Sequence, residues 1–137
     1  MTKLGYVSAA LVLGFGGVAA AAIPGWARLQ RTTGIEVADC AAYAARALQS
    51  VTGKVPTTTR LNANTIEIRS STANDGIFMY CTASISTGCS GPIADLSMVT
   101  FSSAGSSSAT SARDRVNAAF GNPQIIDCGP DLRPIME

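Results

Sequence analysis

The chain has 137 residues, room for one domain, with ten basic and nine acidic side chains and a net charge of +1. Charged residues make up only 14% of it and form no basic block or stripe, so the electrostatic footprint of a nucleic-acid binder is missing. Histidine is absent, which excludes nucleophile–His–acid triads and removes the commonest general base and metal ligand.

Lys3 is followed by an uncharged run from Leu4 to Ala27, broken by Pro24 and Gly25. A positive start, an apolar middle and small residues at its end (Ala20, Ala21, Ala22, then Gly25, Trp26, Ala27) have the form of a signal peptide, with cleavage after Ala27 or Ala22. The alternative is a retained membrane anchor over residues 5–23, since about 20 apolar residues span a bilayer. Arg28 and Arg31 lie just beyond the run, on the side that must be exported. The leader has no prepilin signature: after the one plausible site, Gly5-Tyr6, Ala10 stands where the characteristic glutamate would be. This divides the chain into a leader or anchor, residues 1–27, and a single domain, residues 28–137.

Residues 36–51 form the clearest helix. Val37, Cys40, Ala41, Ala44, Leu48 and Val51 recur at helical spacing on one face, Thr33 and Glu36 have the spacing of a capping box, and Gly53 supplies the stop. Strands follow at residues 57–61 and 65–70, separated by the turn-prone Asn62-Ala63-Asn64. Residues 70–76 make a polar loop ending in Asn74-Asp75-Gly76, a turn signal. Residues 77–86 are the strongest strand. Alternation puts Ile77, Met79, Cys81, Ala83 and Ile85 on one face and Phe78, Tyr80, Thr82 and Ser84 on the other. A further strand spans 96–101, and a second helix, capped by Ser108 and ended by Gly121 and Pro123, spans 109–120 with Ala109, Ala112, Val116, Ala119 and Phe120 on its apolar side. The expected fold is α+β: an α-β-β-β-α order, with an antiparallel sheet and two helices packed on one face.

Four cysteines behind a secretion-like leader read as two disulfides. A four-thiolate zinc site is the alternative, but its ligands usually come in close pairs and the nearest cysteines here, Cys81 and Cys89, are far apart for that. Cys40 and Cys81 share core-facing positions, so they should pair, leaving Cys89 with Cys128.

Little in the chain carries catalytic chemistry. Asp95, Asp127 and Asp131 read as solvated loop or tail residues. Ser106, Ser107 and Ser108 offer hydroxyls without a base, and Lys54 past a helix end suits the helix dipole better than a Ser–Lys dyad. No phosphate-binding glycine motif is present outside the apolar leader, where Gly14-Phe15-Gly16-Gly17 lies. No cofactor or metal is expected. The expectation is a small exported, non-enzymatic domain, periplasmic or secreted, that binds or scaffolds a protein or another envelope component. The alternatives are an accessory subunit anchored in the inner membrane and, less well supported, a small hydrolase. The candidate binding face is that of Phe78 and Tyr80, unless the Ile125-Ile126 tail covers it.

Overall fold

A computed structural model describes residues 23–87 and 91–123 of the chain. The element order is β1 (Gly25–Glu36), α1 (Val37–Thr52), β2 (Thr57–Asn62), β3 (Thr65–Ser71), β4 (Asp75–Thr87), β5 (Pro92–Ser102) and α2 (Ser106–Phe120). The five strands form one antiparallel sheet in the order β1-β5-β4-β3-β2. Both helices pack on the same face. The α+β architecture therefore stands, with one strand ahead of α1 and a longer sheet than the α-β-β-β-α order expected.

That extra strand is β1. Gly25 pairs with Ser102, Trp26 with Phe101 and Ala27 with Thr100. Gly25 is buried, and a Cβ there would lie 2.1 Å from the backbone nitrogen of Ser106. Only glycine lets β1 come so close to the start of α2. Cleavage after Ala27 would remove the first three residues of this strand; cleavage after Ala22 would leave it whole.

The helix α1 forms where periodicity places it, burying Cys40, Ala41, Ala44, Ala47 and Leu48. Its alanines let it lie near the sheet. Gly53 ends it in the left-handed conformation (φ 69°) and donates its N–H to the Gln49 carbonyl at 2.8 Å. The expected capping box is not made. Glu36 is the N-cap without a side-chain cap bond, and Thr33 belongs to β1, where its hydroxyl donates to the Ala94 carbonyl at 2.8 Å. Strand pairing has taken the hydroxyl that the local motif would have used.

The core lies between the helices and the inner sheet face. Ile35, Leu48, Ile68, Met79, Leu96 and Phe120 are among its residues. Cys40 and Cys81 are bridged within it, their Cα atoms 6.0 Å apart and both side chains fully buried. Cys89 and Cys128 lie outside the described residues. The bridge points to an oxidising compartment outside the cytoplasm. Among the described residues no helix is long and apolar enough to cross a membrane; residues 5–22 of the anchor expectation lie outside them.

Two side chains depart from the expected faces. Ile85, placed on the core side by alternation, is fully exposed because β4 runs past the helices that cover Ile77, Met79 and Cys81. Ala119 of α2 is exposed, while Ala109, Ala112, Val116 and Phe120 are buried. The helix also begins three residues earlier than expected, with Gly105 and not Ser108 at its N-cap. At the far end of α2, the Arg31 guanidinium lies over the Phe120 ring, donates to Asn117 Oδ1 at 3.1 Å and bonds the Gly121 carbonyl, so a β1 side chain closes the helix terminus.

Candidate functional site: the open face of the sheet

The helices leave the second face of the sheet uncovered by any described element. Strand register fixes what it presents. One row runs Trp26, Phe101, Gly76; the next Arg28, Val99, Phe78, Arg69; the next Gln30, Ser97, Tyr80, Glu67. Phe78 and Tyr80 thus lie on this face, each half-buried by its cross-strand neighbours. Phe78 packs edge-on against Phe101, ring centroids 6.2 Å apart and planes at 82°. Trp26 and Phe101 are more open, 60% and 51% exposed.

Sequence reasoning missed Trp26 and Phe101. Trp26 looked like the end of the leader. Phe101 carried a usable signal: alternation with the buried Leu96, Met98 and Thr100 places Val99 and Phe101 on the outer face. Gly76, beside Phe101, has no side chain to fill the row, and there the face dips into a shallow hollow of about 400 Å³ lined by Pro24, Trp26, Asn74, Phe101 and Ser103 among others.

The electrostatics of the face are mild. Burial, helped by a hydrogen bond to Glu67 and the charge of its carboxylate, holds the Tyr80 phenol above its usual value, and Arg69 opposes this weakly. Arg69 and Glu67 approach at 3.9 Å at the surface, a pair of little energetic weight.

The residues weighed for chemistry are not brought together. Asp95 accepts a hydrogen bond from Thr32 at 2.8 Å at the opposite end of the sheet. Lys54 is exposed beyond α1, and Ser106 and Ser107 are exposed in the first turn of α2. Asp127 and Asp131 lie outside the described residues, as do Ile125 and Ile126. No group of three or more metal-ligating side chains occurs among the described residues. One buried carboxylate was not anticipated. Asp75, 7% exposed, accepts from the Thr72 hydroxyl at 3.2 Å through Oδ2 and leaves Oδ1 without a partner. With Thr72 it pins the β3–β4 turn.

Fold and site together define a disulfide-bridged α+β domain with an open-faced, aromatic antiparallel sheet. No protein-family model matches the chain, and no curated protein or solved structure matches it either.

Proposed function

We propose that the chain is an exported, non-enzymatic binding module, and that a protein or other component of the envelope or its surroundings meets the open sheet face around Phe78 and Tyr80. One observation carries the reading: a rigid sheet turns a contiguous aromatic surface, Trp26, Phe101, Phe78 and Tyr80, away from its helices. Aromatic side chains on fixed strands offer large contact area at low entropic cost, which is why they concentrate in binding hot spots. Arg28, Arg69 and Glu67 flank the rings on the same face, so the partner is recognised by apolar contact with polar complement at its edges. Hydrolysis by a carboxylate or a Ser–Lys pair is the weaker reading, because among the described residues Asp95 is bonded to Thr32 and no serine is bonded to the exposed Lys54 amine.

Position 80 is the place to test it. A photo-crosslinking amino acid replaces Tyr80 in the native host, and a second variant carries it at Arg46, on the exposed side of α1. A discrete adduct formed from position 80 and not from 46 is the expected result. No adduct from position 80, or the same products from both positions, would overturn the reading. Whether the protein works free or as an anchored accessory subunit is decided by the intact mass of the native protein, which either includes residues 5–22 or does not.

A further inference from the structure

We infer that the end of the sheet at which the chain enters it is built to sit on an anionic lipid surface. This goes beyond the binding-face reading by dividing the aromatic surface: Trp26 and Phe101, at the entry end, go to lipid, and Phe78 and Tyr80 are left to the partner.

Three stretches form that end: the entry, residues 23–27; the β3–β4 turn, residues 70–76; and the β5–α2 connection with the first turns of α2, residues 101–112. Strand register brings them together, since Gly25 and Asp75 both pair with Ser102 and Ser103 N–H donates to the Asn74 carbonyl at 2.9 Å. The only charged residue in these stretches is Asp75, which is buried. Exposed apolar side chains project here instead: Ile23, 85% exposed, with Trp26 and Phe101. The end of α1 arrives at the same level, Thr52 Oγ1 lying 2.9 Å from Ser70 Oγ, and Val55 just beyond it is 82% exposed.

Behind this uncharged end stands a basic collar. Arg28 follows Trp26 by two residues on the same strand face, roughly 7 Å farther along at the rise of a strand. It shares its row with Arg69. Arg113 of α2 donates to the Arg28 carbonyl at 3.2 Å, and Lys54 is exposed next to Val55. Asp114 pairs with Arg113 at 2.8 Å and Glu67 lies 3.9 Å from Arg69, so the collar holds four basic side chains against two acidic ones, whereas Glu36, Asp39 and Asp95 lie toward the opposite end, where Glu36 pairs with Ile93. The chain ahead of Ile23 is uncharged back to Leu4, so an apolar segment of bilayer length leads into this end of the domain. An aromatic and aliphatic rim with arginines one step behind is the arrangement that seats at a bilayer interface, rings among the headgroups and guanidinium groups on anionic lipid phosphates.

Trp26 is the only tryptophan in the chain, so it reports directly. The natively processed protein is added to, or if it retains the apolar segment reconstituted into, phosphatidylcholine vesicles with and without phosphatidylglycerol; a native N-terminus at Arg28, which lacks Ile23 and Trp26, would itself overturn the inference. Lipids brominated near the headgroup serve as quenchers. Two relocated reporters separate seating from mere tethering: Trp26→Phe with Phe101→Trp, and Trp26→Phe with Ile85→Trp at the far end. Quenching at 26 and 101 but not at 85, strengthened by phosphatidylglycerol, is expected. Arg28→Gln and Arg69→Gln should each shift the seating equilibrium about fivefold toward the unquenched state. An unquenched reporter at 101, equal quenching at 85, or indifference to phosphatidylglycerol would overturn the inference. None of these outcomes bears on crosslinking from position 80.

Discussion

Removing the Cys40–Cys81 bridge should cost the domain a large part of its stability. The cysteines are 41 residues apart in sequence. The loop-closure relation for a ring of that size gives about 4 kcal/mol at room temperature. Typical domains have about 5–15 kcal/mol in total. Both cysteines are fully buried, so Cys40→Ala with Cys81→Ala deletes the link without introducing an unpaired polar group. The comparison is made in a Cys89→Ala, Cys128→Ala background, so that the two proteins differ by this bridge alone. With a urea m-value of about 1.5 kcal/mol/M, the unfolding midpoint should fall by about 2.7 M. A fall of less than about 0.7 M, equivalent to roughly 1 kcal/mol, would refute the assignment of the bridge as the main covalent constraint on the unfolded chain.

Leu48→Asp, which places an unpaired charge at a fully buried position, should cost several kcal/mol and abolish cooperative unfolding, while Arg46→Ala, which removes a surface guanidinium resting 4.6 Å from the Tyr43 ring centroid, should stay within about 1 kcal/mol in thermal melts. Gly25→Ala should destabilise by about 1–3 kcal/mol in the same assay, because its Cβ cannot coexist with the backbone of Ser106 unless α2 moves. The raised Tyr80 phenol gives a contribution to stability that is fully present below the unfolded value near 10 and is lost as pH rises through the folded value; urea midpoints between about pH 9 and 11 should therefore fall less steeply in Tyr80→Phe. Non-reducing peptide mapping should recover Cys40 joined to Cys81 and Cys89 joined to Cys128, and a Cys81–Cys89 peptide would be incompatible with the fold.

Where the chain is strongly periodic, its structure was legible. The helical spacing of Cys40, Ala44 and Leu48, and the alternation of Ile77, Met79 and Cys81, are enough to locate α1 and β4 and to bring the two cysteines together. β1 was not legible because its inward positions are Gly25, Ala27, Leu29, Arg31, Thr33 and Ile35, and a row mixing glycine, arginine and threonine has no apolar alternation. Those residues are chosen by neighbours distant in sequence: Gly25 by α2, Arg31 by the end of α2, Thr33 by the Ala94 carbonyl. The same distance explains the capping box, a correct local pattern overridden by a sheet hydrogen bond. Ile85 shows the reverse limit, since alternation assigns a side of the strand but not how far along it the helices reach. Half of the aromatic face was visible as Phe78 and Tyr80; the other half depended on knowing that β1 lies beside β5.

That adjacency also bears on how the molecule assembles. From β3 to β5 each strand pairs with the one made just before it, by short connections that close quickly. β1 emerges first yet has to wait for the last strand, Gly25 meeting Ser102 only when nearly the whole domain has been synthesised. Contacts of such high sequence separation slow folding. In that interval the outer edge of β5 is an unsatisfied template, and it does not distinguish the first strand of its own chain from that of a neighbour. At high concentration refolding should then pass through intertwined dimers that exchange β1, seen as a concentration-dependent slow phase. A leader that holds β1 in place while the remainder folds would suppress that exchange.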